Sequence, residues 1–147
     1  MALDELVTAF RARTLTHVEW THAAHLSVGA WYVSHLGADA ALARLRDEIR
    51  LLNDAHGTVN SSSSGYHETI TAAFVRLLDE GLTAFAEDVP LERRIEALLA
   101  GPLGQSRVLL SFWSREVLMS ARARAEWVPP DLNELVPVPS RSGNKER

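Results

Sequence analysis

The chain contains no cysteine among its 147 residues, which excludes disulfide bonds and thiolate metal ligands. Long apolar runs are also missing, and none approaches the roughly 20 residues that a membrane-spanning helix needs. We therefore expect no membrane partner. The first residues, MALDELVTAF, carry early acids and lack the basic-then-apolar layout of a signal peptide. On this evidence we predict a cytoplasmic protein.

Positive charge is scarce where nucleic acid would need it. The net charge is −4, and no segment of helical length carries a stripe of lysine and arginine, so we expect no nucleic-acid partner. Hydrophobic side chains, in contrast, make up 46% of the chain, which is enough for one domain with a proper core. We assign residues 1–127 to that single helical domain.

Helical periodicity runs through almost all of this domain, and strand-like alternation is missing. Glycine and proline mark the joints between the segments. The pattern predicts an all-α fold, a bundle of about four main antiparallel helices with short helices beside them. The segments expected to be helical are 3–13, 20–36, 38–55, 66–86, 90–100 and 105–125. Residues 128–147 contain four prolines and a charged end, which predicts an extended strap followed by a disordered tail.

Three histidines lie on helix faces that should be buried. His22 and His25, in the block EWTHAAHL, share an otherwise apolar face of the second helix. His67, in the block SSSSGYHETIT, heads the apolar stripe of the long fourth helix. Short connections imply antiparallel neighbours, so the start of the second helix, the end of the third and the start of the fourth should lie together. We therefore expect these histidines to meet, with Asn53 beside them.

A metal ion would explain such a meeting. Buried imidazoles need partners for both ring nitrogens, and a shared ion satisfies several at once. His-x-x-His on a helix brings two nitrogens near one ion, and a third histidine leaves positions open for water or substrate. The expected cofactor is a divalent metal held by His22, His25 and His67, with zinc, iron, nickel and manganese all open. The plain alternative is that His22 and His25 are core histidines bonded to backbone or to each other.

Two residues beside His67 suit catalytic roles. Glu68 is expected to act as a base on metal-bound water, as a fourth ligand, or as a partner that orients a ligand. Its alternative is a simple preference for the negative charge at a helix N-terminus. Tyr66 is expected to donate a hydrogen bond to a substrate oxygen.

Substrate contacts are assigned to Trp20, Asn53 and Arg115. The guanidinium of Arg115 would pair with Glu68 or hold an anionic substrate group, and its alternative is a stem lying along apolar surface. The serine-rich segment 58–64 is either a plain linker or a mobile cover over the pocket that contains His67.

Together these features predict a small metal-dependent enzyme acting on a small molecule. The reaction would use metal-activated water in a hydrolase, lyase or isomerase step, or oxygen chemistry. The alternative is a metal-free helical protein that binds a small ligand or a partner helix. A homodimer is left open.

The blocks WTHAAHL, GYHETIT and SREVLMSARARAEWVPPDL resemble those of a group of small bacterial all-helical proteins with no assigned activity. The resemblance spans residues 15–135 and implies no reaction. It implies a bacterial protein whose recurring blocks include Trp20, His22, His25, Tyr66, His67, Glu68 and Arg115. The layout is also similar to the four-helix proteins of the DinB type, which bind a metal through three histidines, although their histidine spacing differs.

Overall fold

A computed structural model describes residues 1–136 of the chain. Within that range the regular structure is entirely helical, so the prediction of an all-α bundle is confirmed. The helices are α1 (Leu3–Ala12), α2 (His22–Leu36), α3 (Ala38–Ala55), α4 (Glu68–Thr83), α5 (Leu91–Ala100), α6 (Arg115–Leu118) and α7 (Ala121–Ala125), with 3₁₀ turns at Pro102–Gly104 and Val108–Ser111. None of the helices in this part of the chain combines the length and apolarity that a membrane span requires.

Helix α2 lies at the centre of the bundle. It packs against α1, α3, α4 and α5, and its buried side chains include Leu26, Val28, Ala30 and Tyr32. A helix that is apolar all round is typical of such a central position. Helices α3 and α4 also pack on each other, so α2, α3 and α4 enclose a common space, and that space contains the candidate site.

Side chains just before two helices set where those helices begin. The Thr21 hydroxyl accepts the Ala24 backbone N–H at 3.1 Å and caps α2. The His67 ring caps α4 in the same way by accepting the Ile70 N–H at 3.1 Å. Helices α2 and α4 therefore begin at residues 22 and 68, later than the predicted 20 and 66. His67 consequently lies outside the helix whose face it was expected to share.

The prediction of one continuous helix over 105–125 is wrong. Its 3₁₀ turn, α6 and α7 are separate because Ser114 and Ser120 each start a new helix. Their hydroxyls accept the backbone N–H groups of Val117 and Ala123 at 3.2 and 3.1 Å, and such local hydrogen bonds compete with a continuous helix. The broken segment packs against α4 and forms a second core cluster of Ala73, Leu77, Val108, Leu109, Phe112, Trp113 and Leu118.

The strap after α7 is tied to the bundle by buried hydrogen bonds. The Trp113 indole N–H donates to the Val128 carbonyl oxygen at 2.9 Å. The Val128 N–H donates to the Thr69 hydroxyl oxygen at 3.1 Å, and that hydroxyl donates to the Glu126 carbonyl at 2.8 Å. Thr69 is completely buried as a result. The predicted disordered tail beyond residue 136 lies outside the described residues.

Candidate functional site

A pocket of about 320 Å³ lies between α2, α3 and α4. We call it the histidine pocket. Gly29 forms part of its lining, and a Cβ atom there would lie 3.1 Å from the Leu78 Cδ1 atom, so the glycine permits the close approach of α2 and α4. The polar lining residues are few: His22, His25, Thr71 and Ser106. The apolar ones are Leu26, Leu45, Ile49, Ile70, Phe74, Val75 and Leu78.

The ring of His22 is held from two sides. Its Nε2 atom lies 2.9 Å from the Leu103 carbonyl oxygen. A carbonyl can only accept, so Nε2 carries the proton and donates it. The Phe74 ring packs edge-on against the imidazole, with ring centroids 5.5 Å apart. In the neutral ring the Nδ1 atom therefore keeps its lone pair, and no hydrogen-bond partner for it exists among residues 1–136.

The ring of His25 is fixed in a similar way, but with the other nitrogen. Its Nδ1–H donates to the Thr21 carbonyl oxygen at 2.7 Å, and its face lies against the Trp20 indole with centroids 3.8 Å apart. Trp20 in turn stacks on Phe10 at 5.1 Å. The Nε2 atom of His25 is left as an acceptor, again without a hydrogen-bond partner in the described part of the chain.

Desolvation is the main reason that the pKa of His25 is lowered, to about 4; His22 adds to the effect and the hydrogen bond to Thr21 opposes it. The Trp20 indole covers one face of the ring, although the residue as a whole is exposed. An ordinary histidine is already mostly neutral at pH 7, and the lowered pKa keeps His25 neutral there. The free Nε2 atom of His25 therefore carries a lone pair rather than a proton, and the residue lines the histidine pocket.

His67 does not join His22 and His25. Its Nδ1 atom accepts the Ile70 N–H at 3.1 Å, and its Nε2–H donates to the Leu118 carbonyl oxygen at 2.7 Å. Both nitrogens are thus used within the fold, and the residue is not part of the histidine-pocket lining. Burial lowers its pKa. The physical reason for the difference is the extended backbone of a capping residue, to which a helical wheel does not apply.

The predicted metal ligand set is consequently not formed. Among residues 1–136, no three side chains of the histidine, aspartate and glutamate types gather closely enough to hold a metal ion. His22 and His25 line one pocket, but the donor set stops at these two imidazoles. The residues present therefore do not fit a three-histidine centre.

Glu68 belongs to an ion pair. Its two carboxylate oxygens accept the Arg46 Nε–H and Nη2–H groups at 2.9 and 2.8 Å, and Oε1 also accepts the Tyr66 hydroxyl at 2.8 Å. These hydrogen bonds, of which those from Arg46 have the largest effect, hold the pKa of Glu68 below its usual value. Burial raises the pKa of Tyr66. Neither Glu68 nor Tyr66 lines the histidine pocket, so the structure does not bring them to the predicted histidine site.

The three predicted substrate contacts lie in different places. Trp20 supports His25 from behind, as described above. Asn53 is buried and donates its amide N–H to the Asn60 side-chain oxygen at 3.0 Å. Arg115 is exposed at the start of α6, and the partner expected for it, Glu68, is bound by Arg46 instead.

Sequence reasoning missed Arg46, Phe74, Leu103 and Ser106. Arg46 had a signal, because it lies next to the apolar stripe of α3. Leu103 had none, since its contribution is a backbone carbonyl placed by tertiary packing.

The serine-rich segment is organised around Asn60. Its side-chain oxygen accepts the Tyr66 backbone N–H at 3.0 Å as well as the Asn53 amide, and the Ser61 N–H donates to the Ser64 carbonyl at 2.9 Å. Ser61 and Ser62 border a second cavity that includes Tyr66 and not His67. The prediction that this segment covers a pocket containing His67 is therefore wrong.

The chain matches no protein-family model, no curated protein and no solved structure. The resemblance drawn from its sequence blocks stays a prediction.

Proposed function

We propose that the protein binds a small, mainly apolar molecule in the histidine pocket and recognises a hydrogen-bond donor on that molecule through His22 and His25. The observation that carries this proposal is a pair of imidazoles, each with one nitrogen committed to a backbone carbonyl and the other without a partner in residues 1–136. Both residues line the same, mainly apolar pocket. Concave apolar sites with a few convergent polar groups are typical of small-molecule binding.

The size of the pocket limits the ligand. About 320 Å³ is near the lower end of the roughly 300–1,000 Å³ found for small-molecule sites. The apolar lining supplies affinity for a hydrocarbon or aromatic body. A compact ring system or short branched chain suits this space better than a nucleotide or a peptide.

The free ring nitrogens of His22 and His25 determine which polar group the ligand should carry. A neutral imidazole nitrogen without hydrogen is an acceptor, and an acceptor covered by a ligand without a donor loses its hydrogen bond to water. The pocket should therefore prefer an amine or hydroxyl over the corresponding hydrocarbon. No aspartate or glutamate from residues 1–136 lines it, so nothing in that lining supplies the carboxylate base expected from the sequence.

A three-histidine metal enzyme, the expectation from the sequence, stays a prediction. It would require His67 to give up its bonds to Ile70 and Leu118 and to move into a pocket that it does not line. The metal-free ligand-binding alternative requires no rearrangement, which is why the geometry favours it.

The test compares 1-aminonaphthalene with naphthalene, which share a body and differ in one donor group. We expect both to bind, and the amine to bind roughly 2- to 12-fold more tightly, the range for one net hydrogen bond. Fluorescence titration measures both dissociation constants. His25→Phe keeps an aromatic ring against Trp20 and should reduce the preference for the amine, and His22→Phe should do the same.

A blocked pocket provides the control. Ser106 is exposed at the pocket lining, so Ser106→Phe should obstruct ligand access at little cost to folding. Gln105→Phe adds the same ring at the neighbouring exposed position, which does not line the pocket. We expect binding to be lost in the first variant and kept in the second. Equal binding by both variants, or no binding by the unmodified protein, would refute the proposal.

A further inference from the structure

A second cavity, of about 350 Å³, lies where the end of α3, the serine-rich segment and α7 meet. It shares no lining residue with the histidine pocket. We call it the basic cavity. Its polar lining comprises Arg50, Asn60, Ser61, Ser62, Tyr66 and Arg124.

Arg50 is oriented without being neutralised. Its guanidinium carbon lies 4.9 Å from the centre of the Tyr66 ring, a cation–π contact that positions the planar group. The Tyr66 hydroxyl is itself tied to Glu68 at 2.8 Å, so the ring beneath the guanidinium is fixed. Among the described residues no carboxylate lies within 4.0 Å of the Arg50 nitrogens, and its N–H groups make no hydrogen bond there.

Arg124 brings a second cation from another element. One of its terminal amino groups donates to the Gly65 carbonyl oxygen at 2.8 Å, which holds the side chain against the segment. Within residues 1–136 no carboxylate pairs with it, its buried Nε–H has no partner, and the other terminal amino group makes no hydrogen bond. Donor capacity is thus left over at both arginines.

Hydrogen bonds from Asn60 hold the serine-rich segment beside the basic cavity. Asn60 donates its side-chain N–H groups to the Arg50 carbonyl at 3.3 Å and to the Asp54 carboxylate at 3.2 Å. Its oxygen accepts the Tyr66 N–H. Asn60 therefore ties the segment to the end of α3. Ser61 and Ser62 line the cavity beside the arginines; the Ser61 hydroxyl oxygen accepts the Ser63 N–H at 3.3 Å, and both hydroxyls can still donate.

The local charge is positive although the whole chain carries −4. The carboxylate of Glu68 is already paired with Arg46. That of Asp54 accepts from the neutral amide of Asn60 and keeps its charge, so it offsets part of the positive charge. Arg50 and Arg124 remain as two cations without an acidic partner among residues 1–136. Arginine forks bind phosphate oxygens in pairs, and serine hydroxyls donate to the remaining ones.

We propose that the basic cavity binds a phosphate group, with Arg50 and Arg124 contacting its oxygens and Ser61 and Ser62 donating to the rest. A doubly charged phosphate matches the two cations, whereas a carboxylate would match only one. The site is independent of the ligand in the histidine pocket. It also gives the serine-rich segment a binding role in place of the predicted cover.

The test titrates the full chain with inorganic phosphate, glycerol 3-phosphate and acetate in separate experiments. Sodium chloride keeps the ionic strength constant, and amide and arginine Nε–H signals are followed by NMR. We expect saturable shifts at residues 60–66 and at Arg124 with both phosphates. Tighter binding of glycerol 3-phosphate assigns the site to a phosphomonoester, and tighter binding of inorganic phosphate assigns it to the free ion. Acetate binding as tightly as either would overturn the assignment to phosphate.

Two matched variants separate a site from general charge attraction. Arg50→Gln removes one positive charge at an exposed position and should weaken phosphate binding about tenfold or more. Arg93→Gln removes the same charge from α5, where the side chain is exposed and does not line the cavity, and should leave binding unchanged. Equal effects of the two substitutions, or shifts that do not saturate, would refute the site.

Discussion

The imidazole of His67 bridges two parts of the fold that are 51 residues apart, donating its Nε2–H to the Leu118 carbonyl oxygen at 2.7 Å. Its other nitrogen accepts the Ile70 N–H and begins α4. One side chain therefore both caps a helix and ties that helix to the C-terminal segment. A residue expected to bind a metal has a structural function in this geometry.

The first prediction is that His67→Ala lowers the free energy of unfolding by roughly 2–4 kcal/mol. About 1 kcal/mol comes from the lost helix cap and the rest from the unsatisfied Leu118 carbonyl. His67→Asn should recover the cap portion, because asparagine accepts the same backbone N–H. Urea denaturation measures both. Equal stability of the Ala and Asn variants would contradict the capping function.

The second prediction is that the free energy of unfolding falls as the solution becomes acidic. Burial lowers the pKa of His67, and desolvation lowers that of His25 to about 4. The unfolded chain takes up a proton on each ring near pH 6.5, whereas the folded chain does so only at lower pH. The stabilising contribution is therefore complete above about pH 7 and is lost as the pH falls through 6.5 toward the folded pKa.

Denaturation curves between pH 7.5 and 4.5 should show this loss in the unmodified protein. The dependence should be shallower in His67→Asn and again shallower when His25→Phe is added. Parallel curves for all three proteins would rule out these histidines as its source.

Much of the fold follows from periodicity, because α1 to α5 carry apolar residues at helical spacing, and α2, α3 and α5 end at or close to a glycine. The breaks before α6 and before α7 do not follow, since apolar spacing continues through Ser114 and Ser120 while their hydroxyls cap new helices. Local hydrogen bonding outweighed periodicity there.

The candidate site is predicted in part. His22 and His25 line one pocket, as a shared helix face requires. The helical wheel gives the wrong direction for His67, because this residue precedes α4 and has an extended backbone. The partner of Glu68 depends on how α3 packs against α4, and a sequence pattern alone does not determine which of several arginines arrives there.

The third prediction concerns the pair of Arg46 and Glu68. Glu68→Gln should keep the fold and lower the free energy of unfolding by about 1–3 kcal/mol, because a half-buried guanidinium loses its charged partner. Glu126→Gln is the control: its pair with Arg122 is largely exposed, with 71% and 63% of the side chains accessible, and should cost little. Urea denaturation at pH 7 compares them. A Glu68→Gln loss no larger than the control would show that the pair contributes nothing specific.

The fourth prediction compares two glycines that have similar positive φ angles. Gly65 has φ 80°, and a Cβ atom there would lie 2.6 Å from the Val59 carbonyl oxygen. Gly57 has φ 77° but open space around it. Gly57→Ala should cost about 1–2 kcal/mol from backbone strain, and Gly65→Ala should cost clearly more because the segment around Asn60 must also move. Thermal or urea denaturation that gives equal losses would show that this close packing does not constrain Gly65.

The last prediction tests the metal ligand set directly. Zinc titration of the purified protein should give the same affinity for the unmodified chain and for His67→Asn, because both nitrogens of His67 are already bonded within the fold. Any zinc that binds should depend on His22 and His25, because both residues line one pocket and each has a free ring nitrogen. The zinc affinity should therefore be weakened by His25→Phe. A two-imidazole site is incomplete by the usual standard of three protein ligands for catalytic zinc, so binding should also be weak. Tight zinc binding that falls as steeply with His67→Asn as with His25→Phe would instead show that His67 leaves Leu118 and completes the site predicted from the sequence.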